Sequence, residues 1–213
     1  MGEGTLMKER RGFTLIELLI VLLVLGVLSG VTIFSTLSIA TTADADKIIK
    51  DMLMLRTATL MWYKENSSRV VYDDDSNQYK IMIYGIDKPK TFDYFVKNHR
   101  SEILKYLNNE KSIDLLDTQS NVVMGNYVLL AVDNDRKWYV CCYLGQLEKT
   151  ARGEEAPDVK VREKIAGRTK KSKSSGTDSI ELFGIDNLDP QSVETPYSGQ
   201  KFVCMQILEL AAR

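Results

Sequence analysis

The segment from Arg10 to Leu28 reads RRGFTLIELLIVLLVLGVL and says most about how this chain folds. It opens with a basic pair and a glycine and continues as an apolar run, which a single acidic residue, Glu17, interrupts. A charged side chain at the centre of a membrane-spanning helix costs about 2.5–3.5 kcal/mol on insertion scales, so an acid in such a run is by default functional. Glu17 therefore needs a partner.

A cut of the chain between Gly12 and Phe13 would supply that partner. It would create an α-amino group on Phe13, one helical turn before Glu17. Two unit charges about 4 Å apart attract each other by about 4 kcal/mol at an effective dielectric constant near 20, which offsets much of the cost of burial. The pair can form within one chain or between neighbours, and between neighbours it would set the register of an assembly.

Residues 12–17, Gly-Phe-Thr-Leu-Ile-Glu, followed by an apolar helix, resemble the prepilin signal of type IV pilins and type II secretion pseudopilins. The resemblance implies that prepilin peptidase cuts after Gly12, that Phe13 becomes the N-methylated terminus, and that Glu17 aligns subunits in a growing filament. It also implies partners, namely identical or related pilin subunits and an inner-membrane assembly platform. Residues 1–12 would be the leader peptide.

The apolar run is long enough to cross a membrane. No side chain from Leu18 to Ala43 is charged, and a span needs about 20 residues. We therefore expect a transmembrane and polymerisation helix over residues 13–43, in contact with lipid before assembly. A secretory signal would place its cut after the apolar run, and an uncleaved anchor would leave Glu17 unexplained.

The charges that flank this helix predict its orientation. Basic residues precede it and acidic residues follow it, namely Lys8, Arg10 and Arg11 on one side and Asp44 and Asp46 on the other. The positive-inside tendency places the leader in the cytoplasm and the rest outside. We expect a single-pass inner-membrane protein that later becomes part of a periplasmic or extracellular filament.

The helix is predicted to extend over residues 44–66 and to pack on the head. Apolar residues recur there at helical spacing, with Ile48, Met52, Leu55 and Trp62 on one stripe. Charged residues fall outside the stripe, on a solvated or subunit-facing side: Lys47, Lys50, Asp51 and Arg56. Residues 67–213 would form one globular head, which gives a pilin-like α+β fold in which a long N-terminal helix packs on a small antiparallel sheet.

Patterns in the head predict its elements. Residues 73–75, three aspartates, indicate a loop. A strand is expected over 78–86, an amphipathic helix over 91–107 with His99 as a structural residue, and a hairpin over 122–144 that turns at Asp133–Arg136. A last strand over 201–210 and a short edge strand over 180–183 complete the expectation.

Three cysteines lie in the exported part, where disulfides persist. Neighbouring residues of a strand point to opposite faces, so only Cys141 or Cys142, and not both, could meet Cys204. Three reduced cysteines fit the pattern equally well. Pilins often carry a disulfide in this part of the head, and the resemblance favours a bond.

The chain offers no set of residues for catalysis, so we expect neither an enzyme nor a cofactor. It has a single histidine, no glycine-rich phosphate loop and no Ser-His-Asp candidate. No metal site is expected. A zinc site would need paired C-x-x-C ligands, which are missing. Residues 73–77 lack the glycine and the distal glutamate of an EF-hand, so calcium binding there is a minor alternative. The net charge of −1 is too small to indicate nucleic acid or an acidic substrate as a partner attracted by overall charge.

Residues 148–178 are rich in charge and poor in aromatic residues, which predicts a flexible surface insertion. Its second half is basic, with Arg162, Lys164, Arg168, Lys170, Lys171 and Lys173. Such a stretch could bind nucleic acid through phosphates, although aromatic residues for base stacking are missing. The favoured function is a structural filament subunit, and the alternative is a minor pilin that contacts DNA or a surface at a filament tip.

Overall fold

The computed structural model describes residues 13–107, 113, 115–116, 126–145, 160–167, 181–186, 188, 193, 197–198 and 200–212, with the backbone alone at 30–41. The leader, residues 1–12, lies outside the described residues. The chain divides into two compact units, Met1–Ala40 and Thr41–Arg213.

A single helix, α1, runs from Leu15 to Asn66. In the first unit its described large apolar side chains are all exposed, from 46% at Val24 to 82% at Leu15. Within the part of the chain that the structure describes, no helix has the length and apolar character needed to cross a membrane.

In the second unit α1 buries the predicted apolar stripe. Met52 and Leu55 are fully buried, and Ile48 and Trp62 are 7% and 1% exposed. Trp62 packs against Phe95 and Trp138 with ring centroids 4.6 and 6.3 Å apart. The same core takes residues from every layer of the unit, among them Ile81, Phe92, Ile103, Leu129, Val140, Ile165 and Val203.

A small antiparallel hairpin follows α1, after a 3-10 turn at Ser67–Arg69. Strand β1 spans Val70–Asp73 and β2 spans Gln78–Ile81, with Val70 opposite Ile81. The strand predicted over 78–86 was too long, since β2 ends at Ile81. The loop predicted over 73–75 was wrong at Asp73, which is the last residue of β1 and forms a salt bridge with Lys80. Sequence periodicity missed β1 because a four-residue strand gives too short a pattern.

The predicted helix over 91–107 is two helices, α2 at Phe92–His99 and α3 at Ser101–Leu104. The side chain of Thr91 accepts a hydrogen bond from the Tyr94 amide and so caps α2. His99 ends α2 at the edge of the core, with Nδ1 3.7 Å from Oε1 of Glu102.

The main sheet has five strands in the order β3-β4-β5-β7-β6. They are β3 (Leu115–Leu116), β4 (Tyr127–Val132), β5 (Lys137–Tyr143), β6 (Leu182–Ile185) and β7 (Phe202–Glu209). All pairs are antiparallel except β3 with β4. The α+β prediction is confirmed. The hairpin with its turn at Asp133–Arg136 and the last strand are also confirmed. The short edge strand lies two residues later than predicted.

Two predictions about charged residues were wrong. Asp51, placed on the solvated side of α1, is 5% exposed. Residues 160–167, predicted as part of a flexible insertion, form a helix, α4, whose Val161 and Ile165 enter the main core. Arg162 is 2% exposed, and its Nε donates to the carbonyl of Leu144 at 3.2 Å.

Candidate functional site

Two side chains close the N-terminus of α1 with reciprocal hydrogen bonds. The backbone amide and the hydroxyl of Thr14 each donate to Oε2 of Glu17 at 2.8 Å. The Glu17 amide in turn donates to the Thr14 hydroxyl at 3.3 Å. This is a capping box, in which a threonine before the helix and a glutamate three residues later satisfy amides that the first turn leaves free.

The capping box fixes where the carboxylate of Glu17 lies. A negative charge in the first turn also interacts favourably with the positive end of the helix dipole. Thr14 follows Phe13 directly, so the carboxylate is held one residue from the backbone nitrogen that a cut after Gly12 would turn into a free amine. The sequence pattern Thr-x-x-Glu before an apolar run is the signature of a capping box, but the predictions above gave a role to Glu17 and none to Thr14.

The helix that follows this cap is apolar on all sides and exposed. Its described side chains from Leu15 to Leu28 include no charge other than Glu17. A helix that is hydrophobic all round is normally buried in protein or in lipid. Soluble monomers rarely expose so large a continuous apolar surface, which therefore marks a contact with lipid or with other chains.

Comparison with known proteins identifies a described motif at this N-terminus. Residues 7–40 match the family model described as "Prokaryotic N-terminal methylation motif". The chain has a prepilin-type N-terminus. The matched range contains Gly12, Phe13 and Glu17, so the resemblance drawn from residues 12–17 is confirmed for this segment.

Two curated relatives of the chain are type II secretion system core proteins G. The protein from Klebsiella pneumoniae is 34% identical over 61 residues, which is 29% of this chain and 44% of the relative. The protein from Klebsiella michiganensis is 30% identical over 60 residues, which is 28% of this chain and 42% of the relative. The chain thus spans less than half the length of the curated relatives it matches, and no solved structure matches it. The matched motif is thus described by a methylated N-terminus, and both relatives are named as components of a secretion system.

The structure joins Cys141 and Cys204 by a disulfide across paired strands β5 and β7. Cys142 is a buried free thiol on the opposite face. Burial, and secondarily the charge of Asp51, raises the pKa of the Cys142 thiol to about 12. A thiol with so high a pKa is almost entirely protonated at neutral pH and is a poor nucleophile.

A buried polar contact that sequence reasoning missed lies next to this thiol. The hydroxyl of Tyr127 donates to Oδ2 of Asp51 at 3.0 Å, which ties α1 to β4. Burial, with the charges of Cys142 and Asp51 as further causes, raises the pKa of Tyr127, so its hydroxyl remains a donor. The two residues are 76 positions apart, and no local pattern could have paired them.

The remaining predicted sites gain no support. Arg162 is buried and so leaves the predicted basic surface, while Lys170, Lys171, Lys173 and Arg168 lie outside the described residues. In the calcium alternative, Asp73 is already engaged by Lys80 and by the hydroxyl of Ser76. Among the described residues, no group of three acidic, cysteine or histidine side chains is arranged to hold a metal.

Proposed function

We propose that this chain is a structural subunit of a filament of the type IV pilus and type II secretion class. The match of residues 7–40 to the methylation motif carries the proposal. Two structural observations support it, namely the capping box that holds Glu17 and the exposed apolar surface of α1 behind it.

In this proposal, prepilin peptidase cuts after Gly12 and the new terminus at Phe13 is methylated. Residues 13–43, uncharged after Glu17, anchor the chain in the inner membrane with the second unit outside the cytoplasm. An assembly platform in that membrane extracts the subunits into a periplasmic or extracellular filament. The Glu17 carboxylate then meets the amine of Phe13 on the neighbouring subunit, because both charges need a partner once they leave water.

Head-to-tail contact of identical subunits gives an open assembly when the rotation between them does not close a ring. The exposed apolar surface of α1 would be buried among the helices of neighbouring subunits, in place of lipid. Because lipid tails are as apolar as these side chains, the exchange gains no hydrophobic energy, and van der Waals packing between the helices is its main favourable energy.

Mass spectrometry and shearing of cells test this function together. We expect protein from cells to begin at Phe13 with one added methyl group, and Gly12→Arg to leave the leader attached. Glu17→Ala should be cut normally and yet be missing from the sheared fibre fraction, and Glu17→Asp is the matched control that retains the charge. A wild-type chain that keeps its leader and makes no polymer would refute the proposal.

The alternative, a tip subunit that contacts DNA, rests on the lysines at 170–173. If it holds, replacing Lys170, Lys171 and Lys173 with glutamine lowers DNA affinity and flattens its dependence on salt. The burial of Arg162 removes one cation from that surface, so the filament role is the one we favour.

A further inference from the structure

A surface cavity of about 500 Å³ lies beside the end of α1. Two acids, two bases, three aromatic residues and one asparagine line it. Its volume falls within the range of small-molecule sites, about 300–1,000 Å³. Nothing in the proposed packing of α1 uses this cavity, and we refer to it below as the Arg69 cavity.

The charges of the Arg69 cavity balance. Its acids are Glu65 and Glu102, and its bases are Arg69 and Lys105. Glu102 is already engaged, since it accepts from Nη1 of Arg69 at 2.8 Å and from Nε1 of Trp62 at 3.4 Å. The cavity therefore attracts neither an anion nor a cation by charge alone.

Arg69 lacks one acceptor. It is 9% exposed, its Nε donates to the carbonyl of Met82 at 2.8 Å, and its Nη1 donates to Asn66 at 3.0 Å as well as to Glu102. Its Nη2 is buried and has no hydrogen-bond partner among the described residues. A buried donor left unsatisfied costs about 1–3 kcal/mol, so this nitrogen favours a ligand that brings an oxygen acceptor.

Glu65 favours the opposite kind of group. Its carboxylate is exposed and accepts from the hydroxyl of Tyr106. An ionised carboxylate only accepts and has about four lone-pair sites, so Glu65 can take a further donor. A hydroxyl group donates and accepts, and can therefore satisfy both Glu65 and Arg69. An anion would pair with Arg69 and be repelled by Glu65, and a cation would meet the reverse.

Tyr84 adds an apolar wall to these polar groups. It is 85% exposed, and the guanidinium of Arg69 lies over its ring, 4.9 Å from the centroid. A turn closed by the Ile86 amide and the Ile83 carbonyl at 3.1 Å presents this tyrosine, with Gly85 at a φ of 81° that favours glycine. So exposed a ring is free to turn and uncover Nη2 of Arg69. Its electron-rich face attracts the C–H groups of a ligand.

The geometry points to a binding site for a neutral saccharide. A sugar carries hydroxyl groups for Arg69 and Glu65 and a C–H face for the ring of Tyr84. An extended peptide would need a strand edge, and none of the described lining residues lies in a strand. The inference goes beyond the proposed filament function and does not rest on it.

A glycan array tests the site. The full chain, in a detergent without a sugar headgroup, is screened against neutral, anionic and cationic oligosaccharides, and the glycans that bind are titrated by calorimetry. We expect neutral glycans to bind and Tyr84→Ala to lower their affinity about tenfold or more, because an exposed ring can be removed without unfolding the protein. The matched control is Tyr94→Ala, at a tyrosine that is 38% exposed and outside the cavity lining, which should leave the affinity unchanged.

Glu65→Ala tests the charge of the ligand. The affinity for a neutral saccharide should fall about tenfold, because the variant removes a charged acceptor. The affinity for an anion would rise instead, since a repulsion is lost. Binding by the wild type should stay the same between about 0.05 and about 0.5 M NaCl, because salt screens only interactions between charges.

The outcomes decide the inference without touching the filament role, which sheared fibres test. An array on which no neutral glycan binds overturns it, as does binding that Tyr84→Ala and Glu65→Ala leave unchanged. Binding of anionic glycans alone, with an affinity that falls as salt rises, also overturns it.

Discussion

The hydroxyl of Tyr127, at the start of β4, donates a 3.0 Å hydrogen bond to Oδ2 of Asp51, a carboxylate buried in the middle of α1. Asp51 is 5% exposed and Tyr127 is 4% exposed, so water cannot replace either partner. Together with the buried apolar stripe, the bond fixes the rotation of α1 against the main sheet, since α1 must turn this carboxylate toward β4.

Tyr127→Phe should therefore destabilise the protein by about 1–3 kcal/mol, because it leaves a buried carboxylate without its donor. Urea unfolding of the full chain in detergent would measure this loss. The matched control is Tyr84→Phe, since the hydroxyl of an 85% exposed tyrosine is solvated and its removal should change stability by less than about 0.5 kcal/mol. Equal effects of the two variants would show that the buried bond contributes nothing particular.

The capping box makes a prediction about Thr14. Thr14→Val removes the hydroxyl that both donates to and accepts from Glu17, and losing such a cap costs about 1 kcal/mol. We expect leader removal to proceed and the amount of sheared fibre to fall, because the Glu17 carboxylate keeps only the hydrogen bond from the amide of residue 14 and is held less firmly beside the chain terminus. Thr14→Ser keeps the hydroxyl and should restore fibres, and fibres at the wild-type level from Thr14→Val would contradict the role of the cap.

Prediction from sequence succeeded where a pattern was local. The stripe of Ile48, Met52, Leu55 and Trp62 and the hairpin around residues 133–136 were read correctly, because helical spacing and turn residues are properties of neighbouring positions. The prepilin signal was also local, since one short segment carries it.

Prediction failed where the deciding partner was distant in the chain. Asp51 looks solvated beside Lys47 and Lys50, and it is buried because Tyr127 supplies its hydrogen bond. Residues 160–167 look like a charged loop, yet Val161 and Ile165 at helical spacing were enough to pack them on the core. Two apolar residues among many charges give too weak a periodic signal to be noticed.

The turn between β4 and β5 should tolerate only particular residues. Asp133, Asn134 and Asp135 have φ values of 57°, 57° and 59°, in the left-handed region that costs most side chains about 1–2 kcal/mol. Asn134→Val should lower the free energy of unfolding by about that amount, and Asn134→Gly should leave it equal or higher. Thermal unfolding of both variants decides the point, and a valine variant as stable as the glycine variant would contradict it.

Asp135 should make stability depend on pH. Its carboxylate is 8% exposed and accepts from the Phe92 amide at 2.9 Å. Burial raises the pKa of Asp135 above its ordinary value, although the hydrogen bond from Phe92 opposes the rise. The pKa of Asp135 is therefore higher in the folded protein than in the unfolded one. Ionisation of this carboxyl group lowers the free energy of unfolding as the pH rises from the ordinary pKa of an aspartate through the raised pKa, and the loss is complete above the raised pKa.

Asp135→Asn keeps the acceptor for Phe92 and suits the positive φ, but it cannot ionise. We expect the variant to be more stable than the parent at pH 7, by about 1.4 kcal/mol for each pKa unit of the rise. Below the ordinary pKa of an aspartate the two proteins should unfold at the same urea concentration. If the difference in stability between the variant and the parent is the same at pH 7 and at pH 3, ionisation of Asp135 is not its source.

The three cysteines should differ sharply in reactivity. Cys141 and Cys204 are joined, and the Cys142 thiol is fully buried with its pKa raised to about 12. Iodoacetamide should therefore label no cysteine of the native protein, because reaction needs an accessible thiolate. Denaturation without a reductant should expose one reactive thiol, which peptide mapping would assign to Cys142, and reduction should add the other two. Cys142→Ser is the control, since it should show no labelling until the disulfide is reduced. Labelling of Cys141 in the unreduced, denatured wild type would contradict the pairing.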